Sequence, residues 1–400
     1  MKTRSQETFV LGLDEAGYGP NLGPLVVGAS CWRIASDEDC GAEFLPSSET
    51  CASADVKPVK KSKKKRPEPT GPTLFDVEPI PKPEINCDLD FTQRLIERMN
   101  EALAPISAQK GIFPLVDSKK LYAASKTLAA LERSFWLAAA LVEPNSLESA
   151  SFRSVLANVA RESNALVPPP WEEEFDLPLP VDPKTGSPEK LRETLREINA
   201  HLQAERIALV DLAARRAQPS EFNALLDRLG LKSDLIANVT LSLVVEMIAR
   251  VVQTTQEPTF IVLCDKLGGR DRYAPVLSES FPNAQTRVVK ESRDASVYRL
   301  IACKGKDRNG AEIAFTSPIR LEIRFTRKGE SNAPTALASI CAKYLRELSM
   351  DAFNEFWRRA VDESLKPTAG YPVDALRFRA DVKETREQLG ISDALFWRKK

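Results

Sequence analysis

Two acids stand side by side in the stretch TFVLGLDEAGYGPNLGPLVVGA, at positions 14 and 15. The apolar run Phe9 to Leu13 reads as a buried strand, and Asp14 and Glu15 arrive where it stops. Gly17, Gly19, Pro20, Gly23 and Pro24 then spell a turn before a second apolar run, Leu25 to Ala29. A third acid, Asp265, closes the apolar run Thr259 to Cys264, and a fourth, Glu330, follows the alternating RLEIRFTRK and a glycine. Adjacent strand residues point to opposite faces, so the pair at 14 and 15 puts one carboxylate in the core and one at its edge unless the backbone bends. Buried carboxylates are neutralised, paired or metal-bound. On the first segment alone a solvated turn, whose glycines merely supply positive φ, is the competing reading.

Four convergent carboxylates without histidines would select hard divalent cations, Mg²⁺ or Mn²⁺. Two such ions about 4 Å apart activate a water and stabilise the leaving oxygen in phosphodiester cleavage. The rest of the composition narrows the alternatives. The single histidine, His201, excludes any histidine cluster and with it most zinc sites, and it leaves a Ser-His-Asp triad only one candidate. Seven cysteines form no CxxC pair and read as reduced, small hydrophobic residues. The 56 Lys and Arg balance the 56 Asp and Glu, so a nucleic-acid site must come from local clustering.

The elements that must position these acids read as follows. The amino terminus MKTRSQETFV has no apolar signal core, and no apolar run reaches membrane length, which predicts a soluble cytoplasmic protein with no membrane partner. A single catalytic domain is expected over 1–400, interrupted by a Lys- and Pro-rich flexible insertion at 40–90 and a Pro-rich and helical insertion at 165–225. The lysine cluster at 60–66 could grip a phosphate backbone or be a solvated linker. Helices are expected over Phe91 to Leu103, from Ser118 through Phe135, over Leu147 to Arg161, Glu189 to Leu212, Leu235 to Val252 and Thr335 to Phe356, and in a helical carboxyl-terminal segment, 365–400. Ser118, Lys119 and Lys120 fall at a helix start, where amides, a hydroxyl and two ammonium groups suit a phosphate, or where an ordinary cap would sit. Small residues at the start of the long helix, TALASICAK, would let it approach a sheet closely.

Four of these segments together resemble the type 2 ribonuclease H family, the ribonucleases HII and HIII. GLDEAGYGPNLGPLVV is similar to the family's first active-site strand and turn, LVDSKKL to its phosphate-contacting motif, VLCDKLGG to its third-carboxylate strand, and KGESNAPTALASICAKYLRELSM to its fourth-carboxylate segment and following helix. They stand in the family's order, with the helix bearing Asn238 in the expected interval, and cover half to two thirds of the chain.

The resemblance implies an α/β, ribonuclease H-like fold with a mixed central sheet flanked by helices. It also implies a metal-dependent endonuclease that cuts the RNA strand of RNA/DNA hybrids, or ribonucleotides embedded in a DNA duplex, leaving 3′-hydroxyl and 5′-phosphate ends. Asp14, Glu15, Asp265 and Glu330 take the catalytic, metal-binding positions, with Mg²⁺ or Mn²⁺ and no organic cofactor. Gly17, Tyr18 and Gly19 match the motif that approaches the 2′-hydroxyl, with Tyr18 where ribonuclease HII has Arg and HIII has Thr. Ser118, Lys119 and Lys120 match phosphate contacts, Ser339 and Lys343 the helix residues facing the substrate backbone, and Tyr371 a tyrosine that stacks at the RNA to DNA junction. The enzyme is expected to act as a monomer. A hybrid-binding module with weak catalysis, and a same-fold nuclease acting on another structure such as a DNA junction, are the alternatives.

Overall fold

The structure, a computed structural model, describes residues 7–35, 86–108, 112–116, 118–125, 127–147, 150–161, 168–255, 258–327 and 329–399. Strands β1 (Thr8–Ala16), β2 (Leu25–Ile34), β3 (Ile207–Ala217), β4 (Thr259–Asp265), β5 (Gln285–Glu291), β6 (Ala295–Lys306) and β7 (Glu312–Thr326) form one sheet in the order β3-β2-β1-β4-β7-β6-β5. β1 pairs parallel with β4, and β4 parallel with β7; the remaining neighbours are antiparallel. β1 and β4 are buried on both faces, which is why they read as continuous apolar runs rather than alternating ones.

The larger helices are α1 (Asn86–Ala108), α2 (Ser118–Ser125), α3 (Ala129–Val142), α6 (Pro188–Ala204), α7 (Pro219–Leu229), α8 (Lys232–Val251), α9 (Ala274–Ser280) and α10 (Ala333–Ala360). Short helices α4 (Phe152–Val155) and α5 (Pro170–Glu173) lie between α3 and α6, and α11 (Pro372–Asp381), α12 (Lys383–Gln388) and α13 (Asp393–Phe396) close the chain. One apolar core joins the sheet to α10, α3, α1 and α6, and a second joins its opposite face to α8, α9 and α7. This is the mixed α/β sheet flanked by helices that the sequence predicts. No helix among the described residues is long and apolar enough to cross a membrane.

α10 lies directly on β1 and β2. A side chain at Gly12 would collide with the backbone of Pro334 and Thr335, and one at Gly28 with that of Ala338. These two glycines, with the small residues that open α10, set the distance between helix and sheet.

Several expectations need correction. The helix expected to run from Ser118 through Phe135 is two, α2 and α3. The one over Leu147 to Arg161 reduces to α4 and a π turn, Leu156–Ala160. The helix read over Glu189 to Leu212 ends at Ala204, with Arg206 at φ 58°, and residues 207–217 of the supposed insertion are β3, paired with β2. The sequence IALVDLAARRA is rich in helix formers, but pairing with β2 and burial override that preference. The last helix is broken into α11 and α12. The 40–90 insertion lies outside the described residues except for 86–90, which begin α1.

Candidate active site

β1 and β4 run parallel, and their last registered pair is Leu13 with Cys264. One residue further along each strand come Asp14 and Asp265. Residues two apart on a strand share a face: Asp14 follows Gly12, which abuts α10, and Asp265 follows Leu263 of the α10-side core, so both carboxylates lie on the α10 side, at the carboxyl ends of the strands where α/β sheets build their sites. Asp14 is 8% exposed and Asp265 is half-buried, accepting a hydrogen bond from its neighbour's amide, Lys266 N, at 2.9 Å. Beyond Leu13, β1 parts from β4 but stays paired with β2 as far as Ala16.

Glu15 feels both of these acids. Its carboxyl is pushed up from its ordinary 4.5 to about 8, first by burial, then by Asp14, then by Asp265; its own backbone amide and the Lys119 ammonium pull it partly back. The same field reaches further. Burial and then Glu15 push the Tyr18 hydroxyl up, and burial followed by Glu15, Asp265 and Asp14 does the same to the Cys264 thiol. Glu15 is therefore within electrostatic reach of Asp14 and Asp265. The backbone of Glu330 lies in the turn Gly329–Ser331, where a side chain at Gly329 would sit 3.2 Å from the Asp265 amide nitrogen. The Glu330 side chain is outside the described residues.

The other expected site residues gather around this strand end. Gly17 has φ +87°, and a side chain at Gly19 would meet nothing within 4 Å, so the turn is open on its outer side. Tyr18 leans toward the loop after β4, where a side chain on Gly268 would lie 3.1 Å from its hydroxyl. Ser118, the first residue of α2, meets Ser339 of α10 hydroxyl to hydroxyl at 2.8 Å. Lys119 is near enough to act on Glu15, and the Lys120 side chain is outside the described residues. Lys343 donates to Glu347 at 2.5 Å and lies 5.3 Å from the Tyr122 ring centre. Tyr371 is 53% exposed, beside Gly370, whose carbonyl accepts from the amides of Asn21 and Leu22 in the glycine turn. His201 takes no part: its Nε2 contacts the Ala102 carbonyl at 2.7 Å, linking α6 to α1.

Among the described residues, no three His, Cys, Asp or Glu side chains already stand as a metal-binding group. The donor chemistry nevertheless suits a hard divalent ion, because Asp14, Glu15 and Asp265 offer only carboxylate oxygens. Their proximity suits one too: burial first, and Asp14 and Asp265 after it, disfavour the charged form of Glu15, and a bound cation would favour it.

Sequence reasoning missed Arg346 and Arg398. A side chain at Gly17 would meet Arg346 Nε at 2.6 Å, and Arg398 donates to Pro20 O. Arg398 stands in none of the motifs, and Arg346, though within KGESNAPTALASICAKYLRELSM, takes no role from it; long-range packing brings both under the turn.

No family model matches the chain, and no curated protein matches it. Among solved structures it is similar to the ribonuclease H2 of Pyrococcus horikoshii OT3, at 13% identity and a TM-score of 0.35, over 97% of this chain and 92% of that one. It is also similar to Bst-RNase HIII in complex with Mn²⁺, at 14% identity and a TM-score of 0.34, over 99% of this chain and 67% of that one. Likenesses this loose carry no argument, so the function rests on the residues and their arrangement.

Proposed function

We propose that the protein is a divalent-metal-dependent endonuclease that hydrolyses the RNA strand of RNA/DNA hybrids. The observation that carries this reading is that Asp14 and Asp265 end two adjacent parallel strands, with Glu15 next to Asp14 and within the field of both. Asp14, Glu15, Asp265 and Glu330 are the residues that would hold Mg²⁺ or Mn²⁺. When bound, such ions supply an activated water and stabilise the leaving oxygen of a phosphodiester.

Around that centre the chain's own groups have distinct tasks. The turn Gly17, Tyr18, Gly19 lies open beside Glu15 and presents its backbone to a sugar edge. The Ser118 and Ser339 hydroxyls, tied to each other, and Lys119 next to them form a polar patch that suits a backbone phosphate. Lys343 reaches a substrate phosphate by exchanging it for Glu347. The half-exposed Tyr371 ring offers a stacking face.

Tyr18 favours a second reading, a nuclease of this architecture acting on another nucleic-acid structure. Its bulky ring, leaning toward Gly268, narrows the approach to the turn from that side.

The test is incubation of the protein and its Asp14→Asn variant with labelled duplexes in Mg²⁺ and in Mn²⁺: an all-RNA/DNA hybrid, DNA with one ribonucleotide, and all DNA. Cleavage of a ribonucleotide-containing duplex by the unmodified protein alone is the expected result. An Asp14→Asn variant cutting at the same rate would sink the metal assignment. Cleavage of all-DNA substrates would favour the second reading.

A further inference from the structure

Two buried arginines lie directly behind the open glycine turn. Arg346 of α10 is 2% exposed and Arg398 is 1% exposed. Arg398 is laced to the turn: its amide donates to Asn21 O at 2.8 Å, Asn21 Nδ2 donates to its carbonyl at 3.1 Å, and its guanidinium donates to Pro20 O. The guanidinium also lies 4.8 Å from the Phe222 ring centre. Asn223 fastens the same terminal segment, donating to Trp397 O and accepting from Lys399 N, both at 2.8 Å. Arg346 donates to Ala369 O at 2.8 Å, and its guanidinium carbon lies 5.9 Å from the Tyr371 ring centre.

Their charge is only partly balanced among the described residues. Arg398 Nε and Nη1 and Arg346 Nε are buried without a hydrogen-bond partner among the described residues. The acid at hand, Glu347, is 3.6 Å from Arg346 Nη1 and is already engaged by Lys343 at 2.5 Å. Burial, then the nearby Arg346 charge, lowers Arg398 to about 9. Buried arginines elsewhere are paired, as Arg216 is with Glu172 and Arg299 with Glu322. Burying like charges together without counter-charge is destabilising, and a low-dielectric setting lets their field act across the thickness of one turn with little screening.

We infer that Arg346 and Arg398 form a positive floor beneath residues 17–22 that draws a phosphodiester of the bound strand onto the outer face of the turn. They are positioning residues, acting through the turn rather than touching the reacting atoms. The inference rests on the proposed nucleic-acid reading.

The experiment measures affinity for a labelled RNA/DNA hybrid across a range of salt, and thermal unfolding, in the Asp14→Asn background that removes turnover. Arg346→Met and Arg398→Met are each expected to bind about 5- to 10-fold more weakly near 0.1 M salt, with a slope of log Kd on log salt shallower by up to about one. Their Tm should hold or rise, because an uncompensated buried charge has gone. Arg398→Lys, which keeps the charge, should keep the parent's slope. Unchanged affinity and slope in both Met variants would overturn the inference. So would a fall in Tm with an unchanged slope, the signature of a mere fastener. If the parent binds no duplex at all, the nucleic-acid reading fails first and takes this inference with it.

Discussion

Glu322 lies fully buried on β7 between Arg299 at 2.8 Å and Arg324 at 2.5 Å, whereas burial, and after it the charges of Asp14 and Asp265, push Glu15 at the end of β1 up to about 8. The contrast holds more widely. Glu172 takes two hydrogen bonds from Arg216, at 2.7 and 2.9 Å. Glu132 accepts from the amides of Val181 and Asp182 and the hydroxyls of Thr185 and Tyr344, all within 2.9 Å, which ties α3 and α10 to the segment before α6. Carboxylates that serve the fold are completed by the fold. Those at the strand ends lie within one another's field instead, and for Glu15 burial and that field act in the same direction.

That comparison can be broken by substitution. The largest effect should be Asp14→Asn, which loses turnover on the order of a thousandfold or more while Tm holds or rises; unfolding at lower temperature would put Asp14 with the structural acids. Glu322→Gln should do the reverse. It strands Arg299 and Arg324 in the interior and should cost about 3–5 kcal/mol in denaturant unfolding, with turnover preserved wherever the protein remains folded. Gly12→Ala, which forces α10 off β1 next to Asp14, should cost about 1–3 kcal/mol and lower turnover as well, since the same contact sets both packing and site geometry.

The smallest effect is the pH dependence. The raised Glu15 carboxyl favours the folded state while protonated, fully so below its ordinary 4.5, and that contribution is lost as pH rises through about 8. Without divalent ions, Tm should therefore decline across this window, and Glu15→Gln should flatten the decline. Added Mg²⁺ should raise Tm more at pH 8 than at pH 6, because binding must displace a proton at the lower pH. A Mg²⁺ effect independent of pH would leave Glu15 outside the metal-binding group.

Much of the arrangement was legible because it is written locally. An apolar run that stops at an acid is visible in Phe9 to Glu15 and again in Thr259 to Asp265, and both turned out to be strands ending side by side. The fragmentation of the expected helix from Ser118 to Phe135 was not visible, since its apolar spacing continues across the break. β3 was hidden by its composition. Its Ala, Leu and Arg residues favour a helix, and only the pairing with β2 and the partners found for Arg215 and Arg216 make a strand of them.

By itself the sequence determined which groups could do chemistry: all-oxygen acids in place of histidines, a glycine turn after the first pair, and serine and lysine residues at a helix start. These follow from residue type and from periods of two and 3.6 residues, which need no partner to be read. The tertiary structure alone decided that Asp14 and Asp265 become neighbours, that Ser118 meets Ser339, and that Arg346 and Arg398, 52 residues apart by their numbering, share the space beneath one turn. Those outcomes depend on strand register and on close packing of α10 against Gly12 and Gly28, interactions between residues remote in the chain that no local pattern encodes.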